Sequence, residues 1–136
     1  VRILFDTNVV LDVLLDRPLF RDTAAQLIAR VERKELEGVL GATTLTTIYY
    51  LVAKALGRPA ARSAIRDLVD LFLIAPVDRQ VLSRAADSPI KDFEDAVLSE
   101  AGLATGVEAV VTRDPEGFRD SRLVVFSPQQ LDATFG

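Results

Sequence analysis

Apolar positions along this chain follow two different rhythms, and their alternation predicts the architecture. Val1 to Phe5 is a short apolar, β-branched run with one arginine, which suits a buried parallel strand better than an amphipathic edge. It stops at Asp6, Thr7 and Asn8, after which the spacing from Asn8 to Leu15 turns helical and Pro18 closes the element. Ala24, Leu27, Ile28 and Val31 recur at i, i+3, i+4, i+7 with Arg30, Glu32, Arg33 and Lys34 facing outward, so residues 20–36 read as an amphipathic helix. Gly38 to Ala42 is a second short strand. Thr43 or Thr44 is the expected cap of a helix through Ile48, Tyr49, Leu51 and Val52 that Gly57 and Pro59 end.

Pro59 suits the first turn of the next helix, whose expected buried face is Ile65, Leu68, Val69 and Phe72. Leu73 to Val77 reads as a third strand, followed by a short helix capped by Asp78 that buries Val81, Leu82 and Ala85. After Pro89, Asp92 opens a helix reaching to about residue 105; Ala109–Thr112 and Leu123–Phe126 are the fourth and fifth strands, and Ser127 with Pro128 starts a last helix. Strands alternating with helices require long crossovers, which predicts a three-layer α/β/α sandwich around a five-stranded, mostly parallel sheet. No repeat, low-complexity tract or linker divides the chain, so one domain over residues 1–136 is expected.

Composition narrows the chemistry. The chain has no histidine and no cysteine. Imidazole or thiolate zinc sites, cysteine nucleophiles, disulfides and the serine–histidine–aspartate triad are therefore excluded. The net charge of -4 argues against a simple basic nucleic-acid binder but leaves room for acids gathered at one site and neutralised by a cation. No apolar stretch is long enough for a membrane span and no secretory leader is present, so a cytoplasmic protein is expected.

The acids that matter stand at strand and helix ends. Asp6 closes the first strand and Asp114 lies just past Thr112 at the end of the fourth; if those strands are neighbours where the strand order reverses, both carboxylates face one crevice. Asp92, Glu94 and Asp95 crowd the first turn of the intervening helix, where capping and dipole complementation alone explain Asp92 and extend to Glu94. Taken with Asp6 and Asp114 they suggest more, because carboxylates about 4 Å apart repel by roughly 4 kcal/mol at an effective dielectric near 20. An all-oxygen donor set of this kind selects a hard cation such as Mg²⁺ or Mn²⁺.

Three segments carry a resemblance: Ile3-Leu4-Phe5-Asp6-Thr7-Asn8, Asp92-Phe93-Glu94-Asp95-Ala96, and Thr112-Arg113-Asp114 with Phe118. In that order and spacing they resemble the PIN domain, including VapC-type toxins, across essentially the whole chain. The resemblance implies a metal-dependent endoribonuclease in which Asp6, Asp95 and Asp114 hold one or two Mg²⁺ or Mn²⁺ ions and water attacks an RNA phosphodiester in line. Asp95 rather than Asp92 matches the family position because a small residue, Ala96, follows it. Asn8 and Thr112 are the implied outer partners of the carboxylates or of the water. The family also implies a small antitoxin partner and a homodimer.

One departure stands out. PIN domains usually carry a further acid on the helix after the second strand, near Thr46 or Thr47, and no Asp or Glu occurs between Gly38 and Arg66. Thr47 offers only a hydroxyl there, leaving Asp92 or Glu94 to compensate. Asp12 and Asp16, an i, i+4 pair, read chiefly as a solvated helix face, with Asp12 as an outside candidate for the site. Arg62 and Arg66 share a helical face that would meet RNA phosphates or form an ordinary charged surface. Tyr49 and Tyr50 would stack on bases or pack in the core.

Three rivals remain. Ser88 and Lys91 have the spacing of a serine–lysine pair but lack its companion motifs. A haloacid-dehalogenase-like phosphatase needs an aspartate where Asn8 stands. The third is a PIN-like module that binds RNA or protein with weak or lost catalysis.

Overall fold

The computed structural model describes residues 1–135. Five short strands, β1 (Arg2–Phe5), β2 (Glu37–Gly41), β3 (Leu73–Ala75), β4 (Ala109–Val111) and β5 (Val124–Phe126), form one sheet in the order β3-β2-β1-β4-β5 with every pairing parallel. The helices among the described residues are α1 (Thr7–Leu14), α2 (Arg21–Glu32), α3 (Ala42–Leu56), α4 (Arg58–Leu71), α5 (Arg79–Ala86), α6 (Phe93–Thr105) and α7 (Pro128–Ala133), with a 3₁₀ turn at Pro115–Phe118. The expected α/β/α sandwich is what the chain forms.

Both faces of the sheet are covered, which explains why its strands read as continuous apolar runs. Alternation along each strand still divides the core in two. Ile3 and Phe5 of β1, Leu40 of β2 and Val111 of β4 point into one cluster with α1, α2, α3 and α4, whereas Leu4, Val39 and Val110 point into the other with α5 and α6. Phe5 meets Phe72 edge-on at 5.2 Å between centroids, tying the central strand to the end of α4. Gly38 is required beneath that contact, since a Cβ there would lie 2.5 Å from the Phe72 ring.

Several local expectations are corrected. The third helix starts at Ala42 with Gly41 as its cap and no side-chain cap bond, so neither Thr43 nor Thr44 caps it. The second helix ends at Glu32, earlier than expected, where Lys34 adopts a positive φ of 61° and turns the chain toward β2. Val69 and Leu82, expected inside, are exposed, because α4 and α5 lie at the periphery and bury narrower stripes, with Leu68 and Val81 inward.

The chain passes from β1 outward through β2 and β3, then crosses to the other side of β1 to make β4 and β5. The strand order therefore reverses between β1 and β4. In an open parallel sheet the crevice at that reversal, beyond the carboxyl ends of the strands, is where ligands are received.

Candidate active site

Asp6 follows β1 and caps α1. Its Oδ1 accepts a hydrogen bond from the Thr7 amide at 2.8 Å, and its Oδ2 accepts one from the Thr112 hydroxyl at 2.8 Å. The Asp6 amide itself donates to the Val111 carbonyl at 3.0 Å, so the acid is pinned to the end of β4 by backbone as well as side chain. Thr112 is fully buried and its oxygen also accepts from the Asp114 amide at 2.9 Å. One hydroxyl thus sets the spacing of the first and last acids of the site.

Asp95 arrives from a different element. Asp92 caps α6, accepting from the Asp95 amide at 3.0 Å, which fixes the first turn and turns Asp95 toward the crevice. The Asp95 and Asp114 carboxylates face each other over Gly117: a Cβ built on that glycine would stand 2.8 Å from Asp95 Oδ2 and 2.9 Å from Asp114 Oδ2. The missing side chain keeps that space open. A cleft of about 330 Å³ here is lined by Asp92, Asp95, Asp114 and Gly117, with Lys91 and Arg119 as its cations. Asp6 is not on the cleft wall but is coupled to it by charge.

The charge distribution is unfavourable without a counterion. Partial burial, followed by repulsion from Asp6, Asp92, Asp114 and Glu94, pushes the Asp95 carboxyl up to about 7. Asp6 is also raised, chiefly by burial, with Asp114 adding to the rise, while the Thr112 and Thr7 hydrogen bonds and the Arg113 charge oppose it. Among the described residues no three acids are gathered closely enough to hold a metal ion as they stand. The donors are nevertheless all oxygens, and the Gly117 cradle leaves room between two of them, which fits a hard divalent cation better than any other group.

The other predicted residues separate into those brought to this corner and those held elsewhere. Thr112 and Asp92 touch the acids directly. Asn8 is exposed and accepts from Arg17 at 3.0 Å rather than from any group of the cleft. The Thr47 hydroxyl turns back to the Thr43 carbonyl of its own helix at 3.3 Å. The helix hydroxyl that approaches the Asp6 corner is Thr44, buried and 3.1 Å from the Thr7 hydroxyl. Arg62 and Arg66 are exposed on α4, Arg62 over the Tyr49 ring at 5.7 Å, and neither lines the acidic cleft.

Asp12 overturns its expectation most completely: it is fully buried rather than solvated. Its Oδ1 accepts from Arg17 at 3.2 Å and its Oδ2 lies 2.8 Å from Arg113 Nε. Sequence reasoning also passed over Gly117 and Arg119, and weighed Lys91 only as half of a serine–lysine pair. Only the Pro115-Glu116-Gly117 turn signal directly after Asp114 pointed toward the glycine.

Comparison with known proteins bears on the family and the fold. The sequence model of the PIN domain matches residues 2–116. Ribonuclease VapC1 of Aquifex aeolicus (strain VF5) is 22% identical over 118 residues, covering 83% of this chain and 81% of that protein. Among solved structures, VapBC2 from Rickettsia felis bound to a DNA fragment from its promoter superposes with a TM-score of 0.73 at 12% identity, covering 93% of this chain and 98% of the matched one. A toxin–antitoxin complex from Klebsiella pneumoniae gives a TM-score of 0.70 at 20% identity, covering 92% and 96%. With the family model spanning most of its length and the acids at the strand-order reversal, this chain belongs to the PIN-domain family.

Proposed function

We propose that the chain, working as one PIN-like domain over residues 1–136, is an Mg²⁺- or Mn²⁺-dependent endoribonuclease and the toxin of a toxin–antitoxin pair. The observation that carries the reading is the opposition of Asp95 and Asp114 across Gly117, with Asp6 tied to the same corner through Thr112. Asp6, Asp95 and Asp114 would hold the cation. When bound there, a divalent cation lowers the pKa of water and offsets phosphate charge.

The protein's own groups do the rest. Thr112 and the Thr7 amide hold Asp6 in one orientation, so little reorganisation is needed as charge develops on the phosphate. Asp92 caps the helix that carries Asp95 and so keeps the Asp95 carboxyl facing Asp114 over Gly117, beside the place a phosphodiester would occupy. Lys91 and Arg119 at the cleft wall supply positive charge to a phosphodiester backbone that the other lining acids would repel. Arg62 and Arg66 would act only on a more distant part of a strand.

The ribonuclease name of the Aquifex relative and the toxin–antitoxin assembly of the Klebsiella neighbour support the substrate and the partner. A small antitoxin would cover the acidic cleft, and a homodimer is the assembly we propose. Among the described residues no helix is long and apolar enough to cross a membrane.

A second reading, a PIN-like binding module with lapsed catalysis, is favoured by one observation: Thr47 stands where the family's further acid is expected and its hydroxyl is spent on its own helix. Thermal unfolding with and without Mn²⁺ separates the two. The nuclease reading expects a clear rise in melting temperature that Asp95→Asn removes; a melting temperature indifferent to Mn²⁺ favours the binding module.

A further inference from the structure

Asp12 is the buried charge that the proposed chemistry does not use. It sits on α1 with none of its surface exposed, and a carboxylate in that position costs several kcal/mol to desolvate unless it is paired. Two guanidiniums share it. Arg17 Nη1 donates to Oδ1 at 3.2 Å and, from the same nitrogen, to Asn8 Oδ1 at 3.0 Å. Arg113 Nε lies 2.8 Å from Oδ2, yet the two atoms are misaligned and neither has a hydrogen-bond partner, so this contact is an ion pair held by charge and packing. The Arg113 guanidinium also lies over the Phe20 ring, 4.0 Å from its centroid.

These contacts have a consequence for the active-site loop. Arg113 stands between Thr112, which binds Asp6, and Asp114, which faces Asp95. A side chain held between a buried anion and an aromatic face restricts the backbone of the residue that carries it, and therefore the direction of the next carboxylate. A well-packed apolar group at position 12 would have filled the same space without the desolvation penalty.

We propose that Asp12 is a positioning residue: through Arg113 it anchors the loop that carries Asp114, and through Arg17 it holds the first turn of α1 beside Asp6. The functional half of this inference rests on the nuclease reading; the structural half stands without it. Its mark is selective. Loss of the anchor loosens residues 112–118 and misplaces Asp114, leaving the peripheral helix α4, which touches neither Asp12 nor its two arginines, unaffected.

The test compares wild type, Asp12→Asn and Arg113→Lys by amide hydrogen exchange without metal, by Mn²⁺ titration, and by RNA cleavage kinetics, all well below the melting temperatures. Arg113→Lys keeps the charge but loses the planar group over Phe20, and it decides the matter if Asp12→Asn does not fold. The expected result is exchange about tenfold or more faster at residues 112–118 in both variants and at the first turn of α1 in Asp12→Asn, with α4 unchanged, Mn²⁺ affinity and kcat each lower by about 10–100-fold, and KM for RNA nearly unchanged. Unchanged exchange at 112–118, or loosening spread evenly through the molecule, overturns the proposal. Wild type that neither binds Mn²⁺ nor cleaves removes the nuclease reading, and the exchange data still decide the anchor.

Discussion

Thr112 donates its hydroxyl hydrogen to Asp6 at 2.8 Å and at the same oxygen accepts the Asp114 amide hydrogen at 2.9 Å. A single buried hydroxyl thus joins acids from β1 and from the loop after β4, at the point where the strand order reverses. Thr112→Val keeps the shape and removes both bonds. The Asp114 amide then loses its acceptor and the partly buried Asp6 carboxylate loses a donor, which costs about 1–3 kcal/mol of stability, and cleavage falls by about 10–100-fold. Thermal unfolding and steady-state kinetics measure the two effects, and Thr112→Ser should recover most of each.

Asp95 sets the pH behaviour of the metal-free protein. Its carboxyl is raised to about 7 from an ordinary value near 4, so the folded state binds that proton more tightly than the unfolded chain does. The stability this contributes is fully present below about pH 4 and is lost as pH rises through about 7. Metal-free protein should therefore melt at a lower temperature at pH 8 than at pH 5 from this group alone, and Asp95→Asn should flatten that dependence.

The same proton competes with the cation, because a carboxylate ligand must be deprotonated. Mn²⁺ affinity should climb between pH 6 and pH 8, and protons should be released on binding. Titration calorimetry in two buffers of different ionisation enthalpy reads the release directly. At pH 8 without metal, Asp95→Asn should be more stable than wild type, since it relieves repulsion from Asp6, Asp92 and Asp114.

Gly117 is needed for space. Gly117→Ala places a methyl group between the Asp95 and Asp114 oxygens, at separations of 2.8 and 2.9 Å that force both carboxylates aside. Mn²⁺ binding should be abolished or weakened by about tenfold or more. Overall stability should change little, because replacing glycine by alanine also restricts the unfolded chain. A Gly117→Ala protein that binds Mn²⁺ like wild type would mean that the cation sits outside the gap between these two acids.

Much of this was legible in the chain itself, for identifiable reasons. Continuous apolar strands ending abruptly in polar residues marked Asp6 and Asp114, and the crowding of acids behind Asp92 marked the start of α6. Asp12 was not legible, because an i, i+4 acid pair looks solvated and one of its two cations, Arg113, lies far along the chain. Thr44 was hidden by helix phase: with Gly41 rather than a threonine as the cap, the buried hydroxyl falls at position 44 and Thr47 is left to bond its own helix. Val69 and Leu82 misled because periodicity gives the direction of an apolar stripe but not its width, which depends on how many neighbours a peripheral helix has.

The central claim is that the acids at the β1/β4 reversal cleave RNA with the help of a divalent cation. The most direct measurement incubates purified protein with single-stranded RNA in Mg²⁺ or Mn²⁺, beside an EDTA control and an Asp95→Asn variant prepared identically. The account predicts cleavage by the wild type that disappears in both controls. RNA left intact by wild type in either metal, or cut equally well in EDTA or by Asp95→Asn, would contradict it.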